Sequence, residues 1–320
     1  MLTLLAGIDT ESDNQWDAAA RANPTFENLY ALPRLHDVFS RYAVRPTYFI
    51  TYPVARNARA ATVLRALLTR SDCEIGAHHH AWETPPYSPD AAARHPYASA
   101  LPVEQFEQQL KALTDAITEA IGAAPVSYRS GRFGFSPQHV AGLEHAGYRV
   151  ESSVTPLFYE AHKAGPDFVR APLQPYFLSY DDATTPGTSS LLEIPVSAAL
   201  NRRLPRVLQH AYARAPRPYM TKRILRALRL VKMVWLRPSY SSLADMCALA
   251  SRLERDRVPV LNLLFHSSEA IPAGSPYNRT QDDLDRFLDR LDRFLRFATA
   301  NLGARPATFA EFRAAYAGER

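Results

Sequence analysis

The sequence predicts an α/β protein whose strands are parallel and joined by helices. Short apolar runs alternate with stretches of helical period from the first residues onward, the pattern of repeated strand-helix units. At 320 residues, 47% hydrophobic and 22% charged, the chain has a globular composition and can bury a sizeable core. No apolar run approaches the roughly 20 residues of a membrane-spanning helix. Length alone fits one large barrel or two ordinary domains.

Strands are expected at 2–8, 47–52, 74–77, 126–129, 149–153 and 259–265, each a short apolar or β-branched run. Helices are expected at 26–42, 57–69, 103–121 and 137–145, each with apolar residues at helical spacing. The clearest helix comes late: Thr280 can cap a segment in which Leu284, Phe287, Leu288, Leu291, Phe294 and Leu295 make one stripe.

Three stretches break the alternation. Residues 81–101 contain four prolines and follow a histidine run, which suits a loop facing a substrate. Residues 172–195 read as extra β structure, with 175–180 and 190–194 as a strand pair. Residues 201–238 hold eleven Lys or Arg and no Asp or Glu, within a net charge of only +5. Their second half reads as a helix with Ile224, Leu228, Val231 and Trp235 on one face and Lys222, Arg226, Arg229 and Lys232 largely on the other. This is an insertion on a barrel or a small subdomain, and its charge points to phosphate, a membrane face or nucleic acid. Nucleic acid is disfavoured because the cations are not interleaved with stacking aromatics. Cys73 and Cys247 are too few for a disulfide framework, and residues 2–8 lack a basic leader, so a cytoplasmic location is expected.

Candidate chemistry gathers where strands end. In EIGAHHHAWETPP, residues 74–86, an extended backbone sends His78 and His80 the same way and His79 the other. Two imidazoles plus a carboxylate make a site for Zn, Fe, Co or Ni with open positions. The first strand runs into GIDTESD, where Asp9 and Glu11 stand two apart: one can complete the metal set while the other acts as base. As solvated loop acids they would instead cap the next helix. In YRSGRFGFSP, Arg129 can pair with an acid such as Asp9, and Arg132 can meet a charged substrate group. The strand at 259–265 delivers His266, a candidate general acid, and Glu269, Ser275 and Tyr277 follow in a loop that can line the pocket.

The order of these motifs resembles the polysaccharide deacetylase family, also called the NodB-homology or carbohydrate esterase family 4 group. The resemblance rests on Asp9 to Glu11, Glu74 to His80, Arg129 to Gly134, Tyr148 to Ser153 and Leu264 to His266, and covers most of the chain outside 172–238. Two positions depart from the family pattern. An adjacent Asp pair becomes Asp9, Thr10, Glu11, which leaves either carboxylate able to reach a metal. The second metal His normally lies four residues after the first, which here is Trp82, and His80 takes its place. The HxHxW and FHSSE segments look like a subgroup from surface-glycan gene clusters.

The resemblance implies one distorted (β/α)7-8 barrel over 1–320, with an inserted β and basic helical segment at about 172–238. It implies a metal-dependent deacetylase that removes acetyl from an N-acetylated sugar in surface-polysaccharide or lipopolysaccharide biosynthesis. A divalent metal, zinc first and Co, Ni or Fe next, would sit on Glu11, His78 and His80. Asp9, held by Arg129, would be the base and His266 the acid, with a backbone N–H near Phe133 facing the oxyanion. Trp82, Arg132, Phe133, Glu269 and Tyr277 would contact substrate, which would be a nucleotide sugar or a lipid-linked glycan. The basic helix would meet diphosphate or the inner membrane face. An amidohydrolase of small C–N substrates and a non-catalytic glycan-binding relative are the alternatives.

Overall fold

The computed structural model describes residues 1–70, 73–87, 96–215, 221–228 and 230–318. In chain order its strands are β1 (Thr3–Thr10), β2 (Thr47–Ile50), β3 (Glu74–His79), β4 (Ser127–Ser130), β5 (Val150–Glu151) and β6 (Tyr176–Phe177), followed by β7 (Leu192–Glu193), β8 (Ala198–Leu200), β9 (Met233–Trp235), β10 (Val260–His266) and β11 (Arg305–Pro306). The main sheet runs β10-β1-β2-β3-β4-β5-β7-β6, with β11 beside β1. From β10 to β7 every ladder is parallel, which gives a curled half-barrel with helices in the connections. β6 pairs antiparallel with β7, the strand pair expected in 172–195, and β7 itself continues the main sheet through β5.

No ladder joins β7 to β10 among the described residues. The gap is bridged irregularly: the Asn262 backbone N–H donates to Ser197 Oγ (2.9 Å), its side-chain amide to the Ile194 carbonyl (3.0 Å), and the Leu264 N–H to the Leu236 carbonyl (3.0 Å). Parts of 172–238 therefore complete the wall of the barrel. No helix among the described residues is long and apolar enough to cross a membrane.

Most helices fall where their periodicity puts them. Val103–Ile121 starts after Pro102 and stops at Gly122, whose φ of 89° is the left-handed conformation that ends a helix. Thr280 caps Gln281–Arg296 through a reciprocal box, its Oγ1 accepting from the Asp283 N–H while the Asp283 carboxylate accepts from the Thr280 N–H. The helix expected at 26–42 divides into Glu27–Tyr30 and Leu32–Ser40, because Pro33 tolerates only the first turn of a helix.

The basic segment departs from expectation. It forms two short helices, Arg206–Arg214 and Thr221–Ala227, and then β9, which pairs antiparallel with β8. Trp235 is a strand residue, and Ile224 and Leu228 are exposed rather than packed. Cross-strand hydrogen bonds decide this: the Lys232 N–H donates to Asn201 Oδ1 and the Asn201 N–H to the Lys232 carbonyl, each at 2.9 Å. Non-local pairing overrides a local 3.6-residue period here. Arg229 lies outside the described residues, as do 88–95 of the loop expected at 81–101.

The interior of the half-barrel positions the site. Register sets Asp9 beside His266 and Phe49, Phe49 beside Gly76, and His78 beside Arg129, so these residues face one side of the sheet. Two glycines leave the room that their neighbours fill. A Cβ on Gly7 would sit 2.6 Å from Arg129 Nη2, and one on Gly76 would sit 2.7 Å from the Phe49 ring. The Arg129 guanidinium lies 4.3 Å over Phe49, which meets Phe309 edge-on at 5.2 Å. Gly76→Ala should therefore overpack this layer and cost about 1–3 kcal/mol, seen as a lowered midpoint in thermal unfolding; an unchanged midpoint would contradict the packing described.

Candidate active site

Strand ends bring the candidate residues together from four places in the sequence. Asp9 and Glu11 come from the end of β1, His78 and His80 from β3, Arg129 from β4 and His266 from β10. Glu11 Oε2 lies 3.0 Å from His80 Nε2 and 3.8 Å from His78 Nε2, and one ligand atom from each of the three falls within 4.8 Å of the others. All three side chains are buried. His78 Nδ1 is 3.1 Å from the Arg129 carbonyl, which can only accept, so Nδ1 carries the proton and Nε2 turns its lone pair toward Glu11. Burial pushes His78 down to about 4 and His80 down to about 3, which leaves both rings neutral at neutral pH. Burial pushes the Glu11 carboxyl up, against the pull of His266 and His78. Two neutral imidazoles and a carboxylate short of compensating charge are a donor set that fits a divalent cation.

His79 faces the other side of the sheet. Its Nδ1 is 3.0 Å from the Tyr128 hydroxyl and its Nε2 is 2.8 Å from Gln109 Oε1, on the helix Val103–Ile121. The two-residue period of β3 thus divides the histidine run into a pair at the site and one that ties a helix to the sheet.

Two anchored acid-base groups flank the cluster. Arg129 Nη1 donates to Asp9 Oδ1 at 2.8 Å, while its Nε and Nη2 donate to the carbonyl and Oγ of Ser152. Burial would raise Asp9, but Arg129, His78 and His266 together outweigh it and hold the carboxyl at about 2. Opposite, His266 Nε2 is 3.9 Å from Asp9 Oδ2 and 3.8 Å from Glu11 Oε1. Its Nδ1 is 3.0 Å from Glu269 Oε1, and Arg237 and the Ser239 hydroxyl donate to the same carboxylate. Burial works against the imidazolium, yet the carboxylates of Glu11, Glu269 and Asp9 raise His266 above its ordinary value. Glu269 resists the upward push of burial through Arg237 and His266 and stays at about 2.

The cleft above these groups has a volume of about 540 Å³. Trp82, Arg132, Phe133 and Tyr277 line it, as do Trp16, Tyr97 and Arg237. Arg132 sits 4.7 Å over Trp82, and Trp16 meets both His266 and Tyr277 edge-on. Arg132 and Phe133, in the cleft wall, hold positive φ values of 54° and 59°, unusual for residues with side chains. Glu269 does not line the cleft: it is fully buried beneath His266, where it has no surface to offer a substrate. Ser275 is buried too, accepting from the N–H groups of Tyr277 and Asn278.

Sequence reasoning missed Arg237, Trp16 and Glu83. Arg237 is one cation among eleven in 201–238, and only the fold brings it to Glu269. Trp16 was legible as an aromatic in the loop after β1, close to Asp9 and Glu11. Glu83, three residues past His80, is pushed up to about 8 by burial and by Glu11, and accepts from Gln15 Nε2 at 3.2 Å.

Residues 21–150 match a protein-family model described as Polysaccharide deacetylase. Among solved structures, the chain is similar to a candidate polysaccharide deacetylase from Mycobacterium smegmatis, at 17% identity over 99% of this chain and 91% of that one, with a TM-score of 0.58. It is also similar to a candidate glycoside hydrolase or deacetylase from Parabacteroides distasonis, at 13% identity over 100% and 71% of the two chains, with a TM-score of 0.63. A 4-alpha-glucanotransferase from Thermococcus litoralis shares the fold at 13% identity, over 98% of this chain and 40% of that one, with a TM-score of 0.54. Such likenesses speak to fold alone, and the last shows that this fold serves more than one chemistry. No curated protein matches the sequence. The matched range carries His78, His80 and Arg129, and the fold brings Asp9, Glu11 and His266 to them from outside it. The family match covers residues 21–150, and the likeness to solved structures over nearly the whole chain extends the fold, though not the chemistry, beyond that range.

Proposed function

We propose that the chain removes the acetyl group from an N-acetylated sugar, using a divalent metal, zinc first, held by Glu11, His78 and His80. The observation that carries this reading is the convergence on one three-residue donor set of a carboxylate held by Arg129, Asp9, and an imidazole whose Nε2 faces Asp9 and Glu11, His266. When bound, the metal supplies Lewis acidity to the acetyl carbonyl and to water.

The residues divide the proton work. Arg129 occupies Asp9 Oδ1, which leaves Oδ2 on the His266 side to take a proton from the attacking water as its oxygen adds to the acetyl carbon. A backbone N–H near Phe133 faces the oxyanion. Glu269 holds Nδ1 of His266, so Nε2 gives its proton to the amine nitrogen as the C–N bond breaks, leaving acetate and a free amine. Trp82, Arg132, Phe133 and Tyr277 hold the sugar through ring faces and a guanidinium. The substrate is a nucleotide sugar or lipid-linked glycan of surface-polysaccharide or lipopolysaccharide assembly, met at the cytoplasmic side of the membrane.

Two experiments test this. After dialysis, His78→Ala and His80→Ala should lose bound metal with the fold intact, whereas His79→Ala should keep metal and lose thermal stability instead, because Tyr128 and Gln109 lose a buried partner; equal metal loss in all three would contradict the division of the run. Acetate release from a panel of N-acetylated nucleotide sugars and lipid-linked glycans should fall by about 10²–10⁴ in kcat for Asp9→Asn and His266→Ala, with metal retained in both. No release from any member of the panel by the metal-loaded wild type would sink the activity.

A further inference from the structure

The stretch between β8 and β9 leaves several of its large apolar residues exposed. In Arg206–Arg214 only Ala213 is buried, whereas Val207 and Leu208 are 77% and 53% exposed. Further on, Ile224, Leu228 and Leu230 are 51%, 62% and 45% exposed. Beneath lies a small cluster of Leu157, Val169, Leu200 and Ala213, separate from the main core. Five exposed large hydrophobics within 24 residues differ from the scattered single ones of an ordinary surface.

This stretch is also the basic one. Arg203, Arg214, Lys232 and Arg237 meet Asp256, Asp167, Asp245 and Glu269 from elsewhere in the fold. Arg202, Arg206 and Arg223 are exposed and flank the apolar residues in sequence. A two-fold contact between copies of this face would set like charges against each other, whereas a bilayer with anionic headgroups offers apolar depth and negative charge at once.

We propose that this face docks on an anionic lipid bilayer and opens the catalytic cleft toward it. The same helices supply Tyr212, Lys222 and Arg223 to a pocket of about 390 Å³ that also takes in Trp235 and Tyr240. That pocket shares Phe158 and Glu160 with the cleft, and the Phe133 and Trp235 rings lie 5.7 Å apart between the two. Cations and aromatic faces on this route suit the phosphate and sugar of a glycan carried on a lipid. Docking stands on the exposed face alone; delivery of a lipid-linked substrate rests on the deacetylase reading.

The test uses the full chain with phosphatidylcholine vesicles, with and without about 30% phosphatidylglycerol. Co-sedimentation should be at least about tenfold stronger with the anionic vesicles and should weaken at about 0.5 M salt. The combined variant Val207→Ser, Leu208→Ser, Ile224→Ser and Leu228→Ser should lose at least about tenfold in partitioning while its unfolding midpoint holds. It should also lose acetate release from an N-acetylated glycolipid in those vesicles but keep release from the same glycan in soluble form. Equal binding to neutral vesicles, unchanged binding by the variant, or a patch-dependent dimer with no vesicle binding would overturn the proposal. Patch-dependent binding without acetate release from any substrate would leave docking standing and overturn the deacetylase reading.

Discussion

A fully buried guanidinium facing a buried carboxylate organises this molecule. Removing two charges from water costs several kcal/mol per ion, so the Arg129–Asp9 pair persists only because its surroundings complete it. Ser152 accepts two further bonds from Arg129, and Phe49 underlies its planar face. Gly7 and Gly76 are the local consequence, since side chains there would take the space of the guanidinium and of Phe49. The pair also separates the two carboxylates of the first strand. With one oxygen tied to Arg129, Asp9 stays ionised and turns its other oxygen toward His266; Glu11, two residues on, faces the imidazoles.

A second buried unit, Arg237–Glu269–His266, mirrors the first from across the cleft. Arg237 follows β9, so a segment that looks inserted in the sequence supplies a side chain to the centre of the site. Leu236, its neighbour, accepts from the Leu264 N–H and helps close the sheet at β10. The described part of 201–238 thus gives Arg237 to the cleft and leaves Val207, Leu208, Ile224, Leu228 and Leu230 exposed.

Much of this was legible in the sequence, for identifiable reasons. A strand has a period of two, so HHH divides itself into two residues on one face and one on the other. Val103–Ile121 and Gln281–Arg296 were legible because proline, glycine and a capping threonine mark their ends as their stripes mark their faces. The helix drawn through Trp235 failed because a period of 3.6 can arise in a segment whose backbone bonds are claimed by a distant strand, here β8. Glu269 was placed in the cleft because a loop acid near a site is ordinarily solvated; its burial depends on Arg237, 32 residues away in sequence. Contacts between such distant residues are set by topology, which no local pattern encodes.

On the proposed reading, Arg129 keeps Asp9 out of the metal's coordination and leaves that place to Glu11. Anomalous diffraction from crystals loaded with zinc tests it most directly. The account predicts one peak, bonded to Glu11, His78 and His80, with Asp9 still hydrogen-bonded to Arg129. A peak bonded to Asp9 with Glu11 turned away, or one bonded to His79, would contradict it.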